Sequence, residues 1–502
     1  MTSAGYEAIR ALGRHREQVV GHWPSDRLVR CPSLTWLTEP GPVMSRTVVL
    51  LSTYELGRQP FGLASPAAWL ARAGADVVVQ DLSLCDLDES AVRKAALIGF
   101  YVPMHTATRL AKPVLERVTE INPQAHICFF GLYAPLNHEF LRSAGADTIL
   151  GGEYESGLVE LFEDVVVKGR RLVQQSLPLI SLARQKFMIP DRRSLPPLEQ
   201  YAHLVLPGGA TRVVGYTEAS RGCRHRCRHC PIVPVYDGRF HIVPREIVLA
   251  DIGRQVDAGA EHITFGDPDF FNGPAHALRL VRALHALFPN LSYDVTIKVE
   301  HLCDRIDLLS ELKDTGCVLV TSAVESFDNE ILKRFDKGHT PGDVAIVIDA
   351  LSAIGLAINP TFVPFTPWTT IEGYAEFLRT LNRLGIVDNM SPVQYAIRLL
   401  IPPGSKLLDL SELADAVGEL DREALCHPWR HPDPAVDRLG QRVLSAVVDA
   451  QAAKRTRREV FDEVWRITAA AGDTPQDRPD VAWQDEVPQV ATIPYLTEPW
   501  YC

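Results

Sequence analysis

The sequence predicts an α/β protein made of a doubly wound N-terminal domain, a partial six-stranded (β/α) barrel and a helical C-terminal extension. Three observations carry this prediction. From Arg46 onward, short apolar β-rich runs alternate with helix-length segments. From Arg212 a second alternation of the same kind begins, and beyond Pro403 the strand pattern stops. A length of 502 residues fits several domains at roughly 150 residues each.

Residues 1–45 mix proline, tryptophan and charge without a period and are taken as an irregular lead-in. The first series is Thr47–Leu51, Asp76–Gln80, Ala96–Phe100, His126–Phe130 and Asp147–Gly151. Strands joined by helices of about ten or more residues form a parallel sheet covered on both faces, with ligands at the carboxyl ends of its strands. This predicts a Rossmann-like domain over residues 46–169. Residues 170–211 are punctuated by Pro178, Pro190, Pro196, Pro197 and Pro207 and read as a linker. The barrel is predicted over 212–403, with strands at Val213–Glu218, His262–Gly266, Ser292–Lys298, Cys317–Ala323, Ala357–Pro364 and Pro392–Ile401. Residues 404–502 are read as an extension, helical over Lys406–Leu420 and Pro434–Ile467, then an extended tail ending PYLTEPWYC.

Composition narrows the function. Lys+Arg 51 against Asp+Glu 62 leaves a net charge of −11, which disfavours a protein living on nucleic-acid phosphates. No run of about eighteen uncharged apolar residues predicts a membrane span, and MTSAGYEAIRALGRHREQ lacks the apolar core of a signal peptide, so a cytoplasmic protein is expected. The 10 cysteines are too sparse for a disulfide framework, and three of them fall within eight residues, which points to metal binding. Cys85 and Cys128 are expected in the core.

The sharpest signal is ASRGCRHRCRHCPIVP, in which Cys223, Cys227 and Cys230 are spaced C-x3-C-x2-C after the first barrel strand. Thiolates suit zinc or iron–sulfur clusters, and a 4Fe-4S cluster on three cysteines keeps one iron open. A structural zinc site completed by His225 or His229, in a non-catalytic binding protein, is the alternative of another class. Arg224, Arg226 and Arg228 interleave the thiols and either balance an anionic cluster or sit in solvent.

With this spacing at the start of a barrel, the chain resembles the radical S-adenosylmethionine (SAM) superfamily. The resemblance implies reductive cleavage of SAM at a 4Fe-4S cluster held by Cys223, Cys227 and Cys230. It implies a small-molecule or metalloid substrate and an external one-electron donor such as flavodoxin or ferredoxin. It places His229 where the superfamily sets an aromatic ring against the adenine. FGDPDF stands at the glycine-rich turn that binds the SAM amino group, with Gly266, Asp267 and Asp269 there and an aspartate in place of the usual second glycine. TIKVEHL offers Glu300, and SAVESFDNEILKRFDKGHT offers Glu325 and Ser326, for the ribose hydroxyls. Arg398, in AIRLLIPPGSKL, is a candidate for the SAM carboxylate or for substrate.

A Rossmann-like domain before such a barrel resembles the cobalamin-binding subclass, and a cobalamin-dependent methyltransferase is the alternative within the superfamily. The subclass's D-x-H-x-x-G signature is absent, since the loop after the first strand reads STYELGRQPFG. Two readings stay open: cobalamin bound without a protein imidazole, or a lid that has lost the cofactor. CHPWRHPDPAVDRL and YLTEPWYC resemble the radical SAM proteins with a CUAEP or CCAEP tail, where U is selenocysteine. That resemblance implies a UGA codon after Cys502, with Ala-Glu-Pro beyond it. It makes Cys502 a candidate catalytic thiol, for which transfer of a 3-amino-3-carboxypropyl fragment is the speculative reaction.

Overall fold

A computed structural model describes residues 46–170, 177–472 and 493–498. These belong to one compact unit that begins at Arg46. The five strands expected first are present as β1 (Thr47–Ser52), β2 (Asp76–Asp81), β3 (Leu97–Tyr101), β4 (His126–Phe130) and β5 (Thr148–Gly152). They pair in parallel in the order β2-β1-β3-β4-β5, and β6 (Ile180–Ser181) adds a short edge. Alternation of side chains explains the unbroken apolar runs. Val48 and Leu50 enter one core with Leu63 and Leu158, whereas Val49 and Leu51 enter a second with Ile98 and Leu115.

The second sheet runs β14-β13-β12-β11-β8-β7-β15. Its parallel part is β8 (Thr211–Thr217), β11 (His262–Phe265), β12 (Ser292–Thr296), β13 (Cys317–Glu325) and β14 (Ala357–Phe362). On the open side β7 (His203–Val205) pairs antiparallel with β8, and the tail strand β15 (Tyr495–Leu496) pairs antiparallel with β7. The stretch expected as a linker thus contributes a strand to each sheet, β6 at the edge of the first and β7 between β8 and β15 in the second. Between β8 and β11 lies a hairpin of β9 (Ser220–Gly222) and β10 (Phe240–Ile242).

Three expectations are corrected. The sixth barrel strand over Pro392–Ile401 is reduced to a single bridge between Phe365 and Arg398. Pro392 lacks an amide hydrogen, and Pro392–Tyr395 forms a 3-10 turn instead. The helix expected over Lys406–Leu420 is two 3-10 turns, Lys406–Asp409 and Ser411–Leu413. Its buried anchors Leu407 and Leu413 are six residues apart, a spacing that does not repeat along one helical face. The third is Cys85, which is exposed with its thiol on the Asp81 carbonyl at 3.0 Å; Cys128 is buried as expected. The helical stretch Pro434–Ile467 is present as two helices, Pro434–Ala452 and Arg457–Ala469, the second opened by a Thr456/Glu459 capping box. Among the described residues no helix is long and apolar enough to cross a membrane.

Candidate functional site

The β9–β10 hairpin delivers the cysteine loop to the carboxyl end of the barrel sheet. Gly222, at φ +76°, makes the turn into Cys223, and a Cβ there would meet the Arg239 carbonyl at 2.5 Å. Asn272 clamps the entry: its amide donates to the Gly222 carbonyl at 3.2 Å and its Oδ1 accepts from the Arg224 amide at 3.1 Å. Cys227 is buried, and Cys223 and Cys230 are half-buried. Burial pushes the Cys223 and Cys230 thiols up to about 12. Among the described residues, the group of three ligand atoms mutually within 4.8 Å is His225, Asp269 and His301.

The interleaved arginines face outward. Arg224 and Arg226 are exposed, and Arg226 pairs with Asp237 at 3.2 Å. Arg228 donates to the Lys333 and Arg334 carbonyls. The cation beside the thiols is the buried Lys337, within electrostatic reach of Cys227 and Cys230. Sequence reading missed it. The signal was an isolated lysine just after the helix Asn329–Phe335, followed by glycine, in RFDKGHT.

His229 and Glu325 come together as a pair. The His229 ring packs on Phe335 with centroids 4.4 Å apart, and its Nε2 lies 3.1 Å from Glu325 Oε1. Lys337 reaches the same oxygen at 3.3 Å. Burial alone would raise the Glu325 carboxyl, yet Lys337 and His229 bring it down to about 2. Glu325 ends β13 at φ +69°, a left-handed conformation that re-aims the chain where the β13/β14 register shifts. Ser326 Oγ accepts from the Asp328 amide at 3.0 Å. Glu300 pairs with Lys298 at 2.6 Å and fits against Gly338, where a Cβ would meet its Oε2 at 2.5 Å. His229 Nδ1 has no hydrogen-bond partner, and buried His339 faces the Val324 backbone.

Two other expectations are corrected. Asp267 accepts from the Ala219 amide at 2.8 Å and Ser220 Oγ at 2.6 Å, so both of its oxygens are engaged in fastening the approach to the cysteine loop and not turned to SAM. Its carboxyl is raised by burial to about 7. Arg398 donates to Asp437 at 2.7 Å and the Trp429 carbonyl at 2.8 Å and stacks over the Trp429 ring, which ties the sheet's end to the C-terminal helix. Asp269 caps Phe271 and contacts His301. Gly266 closes β11 against Tyr216, whose hydroxyl a Cβ there would strike at 1.9 Å. Gly266→Ala is expected to cost about 1–3 kcal/mol, and since the Tyr216 ring carbons lie 2.2 and 2.7 Å from such a Cβ, Tyr216→Leu is expected to recover more of it than Tyr216→Phe in a thermal-melt comparison of single and double variants. Cys502 lies outside the described residues.

In the N-terminal domain each of the three histidines has one ring nitrogen engaged. His105 Nε2 bonds the Ala424 carbonyl at 2.6 Å, His126 Nε2 bonds Thr148 Oγ1 at 2.8 Å and His138 Nδ1 bonds the Pro135 carbonyl at 3.0 Å. At the carboxyl end of β1, Ser52 Oγ and Glu55 Oε2 are buried without a hydrogen-bond partner.

Residues 217–379 match the family described as the Radical SAM superfamily. A comparison with curated proteins returns no match. Among solved structures, the fold is similar to OxsB, a cobalamin-dependent S-adenosylmethionine radical enzyme solved with aqua-cobalamin and SAM bound. The two are 14% identical over 84% of this chain and 72% of that one, with a TM-score of 0.63. It is also similar to TsrM, a radical S-adenosylmethionine methyltransferase from Kitasatospora setae solved with cobalamin and a [4Fe-4S] cluster. That pair is 17% identical over 68% of this chain and 71% of that one, with a TM-score of 0.54. The cysteine loop at the carboxyl end of a parallel half-barrel and the match over 217–379 agree: the chain is an enzyme carrying a radical SAM domain, set behind a Rossmann-like domain in the fold that these two proteins share.

Proposed function

We propose that Cys223, Cys227 and Cys230 hold a 4Fe-4S cluster with one open iron, and that the enzyme cleaves SAM reductively to modify a small-molecule substrate. The observation that carries this reading is the C-x3-C-x2-C loop, which the β9–β10 hairpin brings to the carboxyl end of the barrel sheet, within electrostatic reach of the buried cation Lys337. The protonated, buried thiols must give up their protons as iron binds, and Lys337 offsets part of the anionic charge that results. When bound, the cluster supplies one electron to the SAM sulfonium, drawn in a cytoplasmic setting from reduced flavodoxin or ferredoxin.

The SAM cradle is read as follows. The Gly266 turn offers its backbone to the amino group. His229, braced by Phe335, lies against the adenine. Glu300, Glu325 and Ser326 accept from the ribose hydroxyls. The orphaned Nδ1 of His229 supports a polar ligand here, since buried polar atoms are rarely left unpaired. Glu325 stays ionised through its pairing with Lys337, so it acts only as an acceptor.

A second reading, a cobalamin-dependent methyltransferase, is favoured by the likeness to OxsB and TsrM. The orphaned Ser52 and Glu55 atoms fit the amide groups around a corrin, and the loop STYELGRQPFG after the first strand offers no histidine for its cobalt.

Anaerobically reconstituted protein, reduced with dithionite and given SAM, is the test. The expected result is about four irons and four sulfides per chain and SAM fragments by mass spectrometry. A colourless protein with one zinc, or a full cluster that leaves SAM intact, overturns the reading.

A further inference from the structure

We propose that the outer face of the cysteine loop and the β9–β10 hairpin is the docking surface for a small acidic electron-carrier protein. The proposal rests on the cluster reading above and adds the surface through which its electron arrives. Over residues 221–245 the chain carries six arginines, no lysine and one acid, Asp237, although acids outnumber bases 62 to 51 overall. Arg221 is buried and Arg228 is tied to backbone carbonyls, but Arg224, Arg226, Arg239 and Arg245 are exposed. Folding adds Arg279, exposed on the helix Pro274–Leu287.

These side chains belong to one continuous surface. A Cβ on Gly238, in the turn of the hairpin, would meet Arg226 Nε at 3.0 Å and the Arg224 carbonyl at 3.4 Å. A Cβ on Gly273, just before the helix, would meet Ile242 at 3.4 Å and Phe240 at 3.9 Å, which joins the helix start to β10. Ile242, Pro244, Arg245, Glu246, His276 and Arg279 then line an open recess of about 480 Å³. Ile242 is 43% exposed, an apolar side chain among charged neighbours, and His276 Nε2 has no hydrogen-bond partner.

Charge and position together select the partner. Asp237 answers Arg226 at 3.2 Å and Glu246 answers Arg245 at 3.1 Å, whereas Arg224, Arg239 and Arg279 make no ion pair among the described residues. The face therefore keeps a positive field in a chain of net charge −11. A field of that sign draws in an acidic protein and turns a basic one away. Arg224 follows Cys223 directly, about 3.8 Å on between Cα atoms, so a carrier seated here stands close to a cluster thiolate. Glu325 and Lys337 of the SAM cradle are buried, and docking on the exposed arginines leaves them covered. One electron passes to the cluster, and the carrier leaves oxidised by one electron.

The test drives SAM cleavage by reconstituted full-length enzyme with two reductants: reduced flavodoxin, an acidic carrier, and reduced methyl viologen, a small cation that needs no basic surface. Arg239→Glu/Arg245→Glu/Arg279→Glu is expected to raise the KM for flavodoxin about tenfold and to leave the viologen-driven rate unchanged. Added salt should raise the parent's KM for flavodoxin and leave that of the variant nearly flat. The same triple reversal on exposed positions of the N-terminal domain, Arg93→Glu/Lys94→Glu/Lys112→Glu, should leave both rates as they are. Viologen-driven cleavage in a parent that flavodoxin does not serve, or an equal flavodoxin KM in the parent and the hairpin variant, overturns the docking surface alone. Cleavage with neither reductant overturns the functional reading, and this proposal falls with it.

Discussion

Cys223→Ala, Cys227→Ala and Cys230→Ala proteins are each expected to lose the iron–sulfur chromophore and all SAM cleavage above background, while Cys303→Ala and Cys317→Ala keep both. The asymmetry follows from position. Cys317 is sealed in the barrel core, and Cys303 bonds the Asp343 carbonyl at 3.4 Å, so neither thiol can reach the loop. A cuboidal cluster on three thiolates has no spare protein ligand, and two cannot replace three. Cys227 is the most telling, since it is the most buried of the three and lies nearest in chain to both others. Iron, sulfide and the visible spectrum after anaerobic reconstitution decide the matter. Full iron and sulfide in the Cys227→Ala protein would defeat the cluster assignment.

Much of this architecture was legible because it obeys local rules. The run Thr47–Ser52 is apolar at every interior position because both faces of its sheet are covered, and that pattern shows in the sequence alone. The C-x3-C-x2-C spacing is equally local. What stayed hidden depends on contacts between distant segments. Asp267 sits in a turn that suggested a ligand, but its two oxygens are taken by Ala219 and Ser220 from the preceding strand end. Arg398 looked available until the helix Pro434–Ala452 brought Asp437 against it. Lys337 and His301 carry no motif, and only the folding of β12 and β13 sets one beside the thiols and the other beside Asp269. The short hairpin β9–β10 is hidden for a different reason: three-residue strands are below the length at which alternation is readable.

Arg221→Ala is expected to be the most damaging single change away from the thiols. Arg221, at the centre of β9, is 6% exposed and passes between the two domains. It meets Glu153 at 3.3 Å, Glu155 at 2.7 Å and Glu218 at 2.8 Å, with the rings of Phe61, Tyr154 and Phe187 around the guanidinium. Taking away the cation leaves three carboxylates in a dry space, and breaking a buried pair from one side costs about 3–5 kcal/mol. The pH dependence gives the loss a signature. Burial works to raise both carboxyls, but Arg221 leaves Glu155 below its usual value of 4.5 and Glu218 above it. A depressed carboxyl such as Glu155 adds stability that is present above 4.5 and is lost as the pH falls through its folded value. A raised one such as Glu218 does the reverse, and its contribution fades as the pH climbs from 4.5 toward its folded value. Without Arg221, Glu155 joins Glu218 in the raised class. The variant's deficit should therefore widen steadily from about pH 4 to about pH 8 in denaturant titrations, and Arg221→Ala/Glu155→Gln should recover part of it at the upper end. Arg221→Lys keeps the charge but loses the planar fork, so it should fall between the two. A deficit that stays flat across that range would mean that Arg221 acts through packing alone, and that the domains are not held together by this buried charge cluster.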